Sequence, residues 1–433
     1  MAREYKDSGI AWIGEIPEGW KICRIKDIFI LRTGTTPKDY EKWLDSDSLV
    51  NWFTPSDISE MNCELYSSER HLSKKVVINE NIKLHPVDSL LFVGIGASAG
   101  KIGFAKVESY SNQQITNLVP KKEKCYSKYF YYYMLADRKR IRDNAFFTTL
   151  PIINNSYLSN ISILSPSIIE QRAIADYLDR KCGEIDELIS LQEKMIEELK
   201  AYKQSVITEA VTKGLNPDVP MKDSGIEWIG EIPEGWRIKP LKWIVKSPLQ
   251  YGANESGVIY DENLPRYVRI TDISNNQLRE DIQKQSLTES QANGYILENN
   301  DILFARSGGT VGKSFIYSSN YGRCAFAGYL IRAQINKDNN PKYIYYYTQS
   351  CVYEEWKRQI FIQATIQNIG ADRYSLLDVS IPPLSEQQAI ADYLDNKCSE
   401  IDSLIALKQK KIEELKEYKK SMIYEYVTGK KEV

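Results

Sequence analysis

Residues 6–20 read KDSGIAWIGEIPEGW, and residues 222–236 read KDSGIEWIGEIPEGW. Fourteen of the fifteen positions agree at an offset of 216 residues. The same offset returns farther on. There EQRAIADYLDRKCGEIDELISLQEKMIEELKAYK (170–203) matches EQQAIADYLDNKCSEIDSLIALKQKKIEELKEYK (386–419) at 25 of 34 positions. A period this long is no solenoid; it is a duplication, and it restricts the chain to folds with two like halves. Between the repeats, segments 21–165 and 237–381 share only islands. These are SDIS (56–59) with TDIS (271–274), LLF (90–92) with ILF (302–304), the GK pairs at 100–101 and 312–313, and KYFYYY (128–133) with KYIYYY (342–347). The expected chain therefore holds two near-identical parts and two parts alike in shape but different in detail.

The near-identical parts after each variable segment are helical. Heptad position a takes Leu178, Ile185, Gln192, Leu199 and Val206, and position d takes Leu188, Met195 and Tyr202. The second copy gives Leu394, Ile401, Lys408, Leu415 and Met422 at a, with Leu404, Lys411 and Tyr418 at d. That spacing predicts a coiled-coil seam, with Gln192 and Lys408 as matching polar interruptions that fix register. Each helix runs roughly 40 residues, about 60 Å at ~1.5 Å per residue. Pro166 and Pro217 bound the first, and Pro382 and Pro383 precede the second. The two helices either pair with each other or sit in separate bundles. Two copies in one chain favour pairing, antiparallel if a two-fold axis relates the halves.

The variable segments read as mixed α/β domains. Strand patterns fall at 267–273, 301–305 and 326–333, and aromatic-rich amphipathic helices at 129–144 and 341–360. The Tyr runs 131–133 and 345–347 either stack on bases or, as their helical spacing favours, belong to cores. Net charge is −2, but the variable segments carry +5 and +3 while the remainder carries −10. A nucleic-acid surface needs local positive potential rather than a basic whole, so this distribution leaves such a partner open. No apolar run approaches the ~18–20 residues of a membrane span, and the opening residues lack the apolar stretch of a signal peptide. Seven scattered cysteines without a C-x-x-C pair point to a reducing cytoplasm. Cys182 and Cys398, at matching positions, are expected to pack helices.

Reaction chemistry is hard to find. His71 and His85 are the two histidines and both lie in the first half, so no His-based apparatus serves both halves. SGGTVGKS (307–314) comes one residue short of a phosphate-binding P-loop, with Ser307 at the first glycine position and a β-like stretch where a helix is required. Its counterpart GIGASAGK (94–101) lacks the following Ser or Thr. A strand followed by a Gly-rich loop fits better, either as a plain hairpin turn or with Lys101 and Lys313 near a backbone phosphate. No metal-ligand cluster, dinucleotide fingerprint, nucleophile elbow or adenine-methylase motif appears.

SGIxWIGxIPEGW before each variable segment, EQxAIADYLDxKCxEID after each, and GTTP (34–37), RYVRITDIS (266–274) and RSGGTVGK (306–313) together resemble the specificity subunit of type I restriction–modification enzymes. The resemblance covers essentially the whole chain. It implies an α+β protein in which two α/β target recognition domains are separated by two long antiparallel coiled-coil helices, a pseudo-two-fold, circular duplication. The expected spans are 1–165 for the first recognition domain with the repeat motif 6–20, 166–220 for the central helix, 221–381 for the second domain with the motif 222–236, and 382–433 for the distal helix. Each domain would read half of a bipartite site in double-stranded DNA. Two methyltransferase subunits would dock on the helices and methylate adenine N6, and two restriction subunits would complete the cleaving enzyme. This chain would be non-catalytic and bind no cofactor, with S-adenosylmethionine, ATP and Mg held by its partners. The rival readings are a coiled-coil scaffold presenting two protein-binding domains, and a nucleotide-dependent enzyme using the near-P-loop.

On this resemblance the first domain's DNA contacts are expected from Thr35, Thr36, Lys38, Trp52, Thr54, Ser98, Lys101, Thr148 and Thr149. Those of the second are expected from Tyr251, Tyr267, Arg269, Thr271, Arg306, Ser307, Thr310, Lys313, Gln363, Thr365, Gln367 and Asn368. Arginine favours guanine, and glutamine or asparagine favours adenine. Arg269 and Arg306 are the sharpest candidates, each with a surface ion pair as its alternative. Asp57 and Asp272 are expected to brace loops. Ile174, Tyr177, Leu178, Glu197–Lys200 and Glu413–Lys416 are candidates for the methyltransferase interface, or for solvated helix surface.

Overall fold

A computed structural model of the chain describes residues 3–38, 49–59, 64–121, 123–143, 146–147, 151–274, 276–362 and 367–433. Five helices organise it: α1 (Ser127–Asp143), α2 (Ile168–Lys213), α3 (Pro341–Tyr347), α4 (Cys351–Ile362) and α5 (Leu384–Val427). The chain divides into two compact units, residues 1–192 with 410–433, and residues 193–409. Both divisions fall inside α2 and α5. Each compact body thus joins one variable domain to a part of each long helix.

Local chemistry sets the ends of the long helices. Ser167 and Glu170 form a reciprocal capping box at the start of α2, each side chain bonding the other's backbone N–H at 3.2 Å. Past the ends of α2 and α5, Gly214 and Gly429 adopt φ of +78° and +74°, the left-handed turn that stops a helix. The expected helix 341–360 is broken into α3 and α4. Thr348 and Ser350 explain the break: their hydroxyls donate back to the carbonyls of Tyr345 and Tyr347 at 2.6 and 2.7 Å.

In the first unit, a five-stranded sheet has the order 29–33, 115–120, 90–93, 102–105, 64–65. A second sheet places strand 49–53 between 110–111 and 71–73. The second unit has two four-stranded sheets, ordered 250–251, 330–333, 302–305, 314–316 and 258–259, 285–286, 266–268, 324–326. Matching pairings recur in sequences that have diverged. Ser111 pairs with Phe53 in parallel, as Phe326 does with Val268. Lys21 pairs with Ser165, as Arg237 does with Ile381. The Tyr runs are buried in both units, and Cys182 and Cys398 are buried as expected. The expected strand at 326–333 is two strands, 324–326 and 330–333.

The repeated hairpin forms the same joint in each unit. Trp20 and Trp236 are buried, and their indole N–H groups donate to Glu170 and Glu386 at 3.3 and 3.1 Å, which tethers the start of one long helix. The end of the other long helix arrives from the opposite direction. Tyr129 donates to the Val427 carbonyl at 3.0 Å, and Tyr343 to the Val211 carbonyl at 3.2 Å. In the first unit Tyr424 and Lys430 also reach the Trp12 and Glu15 carbonyls at 3.1 and 2.7 Å.

α2 and α5 run antiparallel in each unit. Asp186 meets Lys419 and Tyr177 meets Tyr426 in one; Lys203 meets Asp402 and Met195 meets Lys408 in the other. The seam is displaced from the expected one. Leu178, Ile185, Leu394 and Ile401 are buried, and Gln192, Leu199, Lys408 and Leu415 are half-buried. Leu188 and Leu404 face solvent, and the second buried row is Cys182, Ile189 and Ile196, with Cys398 and Ile412 in the copy. A row four residues after each a position alternates 4-3 as readily as a d row alternates 3-4, so the turn carrying Leu188 loses to the one carrying Ile189.

The displaced seam places Lys203 and Lys419 on its inner row, and their burial differs. The Lys419 side chain is 3% exposed against an Asp186 side chain 39% exposed, while Lys203 and Asp402 are 25% and 58% exposed. Asp186→Ala should cost about 2 kcal/mol in urea unfolding because it strands a buried ammonium. Asp402→Ala should cost under about 1 kcal/mol, since water reaches that pair. Equal costs would show that burial does not distinguish the two copies.

Candidate nucleic-acid interface

Four loops meet at one edge of each unit, held by a shared set of backbone hydrogen bonds. The loop after strand 90–93 and the loop after strand 302–305 correspond residue for residue. Gly94 and Arg306 donate their N–H groups to Gln114 and Tyr329 carbonyls at 2.8 and 2.9 Å. Their own carbonyls accept from Ile153 and Ile369 at 2.7 and 2.9 Å. Single bridges join Ile95 to Ile152 and Ser307 to Asn368. Within the loops, Lys101 and Lys313 donate to Ser98 and Thr310 carbonyls at 3.1 and 3.0 Å. Gly96, Gly100, Gly308 and Gly312 take φ between +79° and +98°, which explains why GIGASAGK and RSGGTVGK keep those glycines. Strand 314–316 follows directly, so the near-P-loop closes an antiparallel hairpin rather than opening a helix.

The remaining loops dock by the same rule. Gly34 and Gly252 donate to Ile115 and Leu330 carbonyls at 3.0 and 3.1 Å, and Asn112 and Ala327 to Phe53 and Val268 carbonyls at 3.0 Å each. A Cβ on Gly34 would lie 2.1 Å from the Asn112 carbonyl oxygen, and one on Gly252 2.4 Å from the Phe326 and Ala327 oxygens. Only glycine lets these backbones approach.

Several expected contact residues hold this scaffold instead. Trp52 is 2% exposed, with its indole donating to the Thr35 carbonyl at 3.1 Å. Tyr267 is 5% exposed and donates to the Ala253 carbonyl at 2.8 Å; burial raises its phenol pKa, keeping it a neutral donor. Both aromatics brace the first loop from beneath. Thr54 is buried and caps a short turn, its N–H and hydroxyl bonding Asp57 at 2.7 and 2.8 Å. Arg269 occupies the equivalent place. Its guanidinium is taken up by Asp272 at 2.9 Å, Gln285 at 3.0 Å and the Gln283 carbonyl at 3.1 Å, the ion-pair alternative. Thr271 bonds Asp272 at 3.3 Å beside it, and Asp57 and Asp272 both act as loop braces.

Other candidates lie on the loop surface. Thr35, Thr36 and Lys38 are exposed; Thr36 hydrogen-bonds Gln113, and Lys38 donates its N–H to Glu80 at 3.2 Å. Ser98 and Lys101 are half-buried. In the second unit Arg306 lies 5.0 Å over the exposed Tyr251 ring, whose hydroxyl accepts from Ala371 N–H at 2.9 Å. Tyr374 anchors the same strand end by donating to the Ala305 carbonyl at 2.9 Å, and burial raises its pKa. Ser307 and Thr310 are half-buried, and Lys313, Gln367 and Asn368 are exposed around them. Thr148, Thr149, Gln363 and Thr365 lie outside the described residues. Sequence reasoning missed Gln113 and the exposed Tyr329, both on the third loop. Aligning that loop's Ser111–Gln114 with Phe326–Tyr329 would have found them. Among the described residues no metal-ligating cluster occurs, and no helix is long and apolar enough to cross a membrane.

The sequence profile described as type I restriction modification DNA specificity domain matches residues 17–201 and again 233–417. The type I restriction enzyme MjaVIII specificity subunit of Methanocaldococcus jannaschii is 24% identical over 96% of this chain and 93% of its own. The EcoKI specificity subunit of Escherichia coli is 26% identical over 46% of this chain and 44% of its own. Among solved structures, a chain from a study of type I R-M complex assembly and conformational transition superposes with TM-score 0.73 at 14% identity, covering 95% of this chain and 98% of that one. The HsdS subunit from Thermoanaerobacter tengcongensis superposes at 0.52, also with 14% identity, over 96% and 98%.

Replacing Gly252 with Ala should lower the second unit's stability by about 2 kcal/mol, because backbone oxygens cannot yield to the new methyl. Gly235→Ala, with open space around it, should stay within about 0.5 kcal/mol in the same urea melts.

Proposed function

The chain belongs to the type I restriction–modification DNA specificity family, and on that footing we propose that it is the sequence-reading, non-catalytic subunit of such a system. Each four-loop cluster reads one half of a bipartite site in double-stranded DNA. The observation that carries this reading is the repetition of one backbone scaffold with different side chains. The first cluster presents hydroxyls and amides, Thr35, Thr36 and Gln113; the second presents Tyr251, Arg306 and Tyr329. One architecture carrying two chemistries suits two unlike half-sites. Base edges supply specificity, while Lys38, Lys101 and Lys313 position the clusters on phosphate. The chain works in the cytoplasm and holds no cofactor of its own; S-adenosylmethionine, ATP and Mg belong to its partner subunits.

The long helices dock two methyltransferase subunits. Leu188 and Leu191 stand exposed in the first unit, on the α2 stretch where Lys419 reaches Asp186, and Tyr418 is exposed beside Lys419. Leu404, Leu407 and Tyr202 repeat this patch in the second unit. Two equal apolar patches suit two copies of one partner. With restriction subunits added, the assembly cleaves DNA in an ATP-dependent way.

In cells co-expressing the partner subunits, mapping of N6-methyladenine should give a bipartite motif. Exchanging segment 21–165 for that of another family member should change only one half of it. A change in both halves would contradict the modular reading. The paired change Leu191→Asp and Leu407→Asp should weaken methyltransferase capture at least about tenfold, an interface loss of ~1.4 kcal/mol or more. Capture at wild-type affinity would place the partner elsewhere.

A further inference from the structure

The two clusters differ in a reciprocal way. The first unit has Gly94 where the second has Arg306, and the second has Gly328 where the first has Gln113. At these two positions each cluster thus mounts a long polar side chain, on a different loop, where the other has a glycine. Both glycines stand against backbone. A Cβ would lie 2.9 Å from the Ile153 oxygen at Gly94, and 3.3 Å from the Ala253 oxygen at Gly328.

Gln113 is held as a reading arm would be. Its neighbours are fixed, since Asn112 N–H donates to Phe53 and the Gln114 carbonyl accepts from Gly94. The Asn112 and Gln114 side chains turn toward each other at 3.0 Å, which leaves Gln113 as the amide of this loop that faces outward. The Thr36 hydroxyl bonds Gln113 Oε1 and so orients the amide. Its Nε2 donates to no described residue. An oriented carboxamide offering one acceptor and one free donor matches the N6 and N7 edge of adenine in the major groove.

We propose that Gln113 specifies an A·T pair in the half-site read by the first unit, from a loop position that is glycine, Gly328, in the second. This rests on the DNA-reading function above and assigns the base class at one of its sites. The test is the N6-methyladenine map of cells co-expressing the partner subunits with Gln113→Ala or Gln113→Asn. Gln113→Ala should relax one A·T position in one half, raising methylation of sites with another pair there roughly 10- to 100-fold. The other half should be unchanged. Gln113→Asn, which keeps the amide on a shorter arm, should relax the same position less. The exposed position makes either substitution compatible with folding, and a matching melting temperature of the assembled complex confirms it. Uniformly weaker methylation with an unaltered motif would make Gln113 a phosphate contact and overturn the proposal. Relaxation at a G·C position, or in the half read by the second unit, would also overturn it. Absence of any bipartite motif with the unsubstituted chain would instead reject the underlying DNA-reading function.

Discussion

Everything else in the molecule hangs on the joint made by the repeated hairpin. A buried indole donates to a carboxylate in the first turn of one long helix, at Trp20 with Glu170 and at Trp236 with Glu386. A buried tyrosine donates to the last turn of the other helix, at Tyr129 with Val427 and at Tyr343 with Val211. These groups would carry a desolvation cost if left without partners, so the two helix ends are held together by more than apolar contact. The joint explains why fifteen residues are nearly invariant within the chain while the domains they introduce have diverged. The hairpin must fit the same two helix ends twice, whereas the two loop surfaces share no such common fit.

The strand pairs beside the joint carry that fixed geometry to the loop clusters. Strands 21–24 with 162–165, and 237–240 with 378–381, keep equal register in both units. At the clusters the constraint passes to the backbone: glycines 34 and 252 where chains approach, and left-handed glycines in the second loop. Side chains are then free to differ, as Gly94 and Arg306 do at a shared position.

Much of this was legible from sequence because repetition and periodicity are local signals. The duplication, the long helices and the buried Tyr runs needed only spacing and residue type. The seam needed more. Rows beginning at Leu188 and at Ile189 satisfy the same 3.5-residue repeat, and only the packed partner decides between them. The loop clusters needed most. Trp52 and Tyr267 have the character of base-stacking residues, but their fates depend on carbonyls at Thr35 and Ala253, many residues away. Arg269 likewise looks free until Gln283 and Gln285 are brought beside it. Gln113 gains significance only through Thr36 and the outline of Gly94, a relation no linear pattern encodes.

The division of the chain also orders its assembly. The second unit is one continuous run, residues 193–409, whereas the first is completed by residues 410–433. A ribosome releases the chain from its N-terminus, and domains generally fold as they emerge. The half that is synthesised second is thus the half that can finish first. The earlier half waits with the row through Cys182, Ile185 and Ile189 uncovered until the last helical turns arrive to close it.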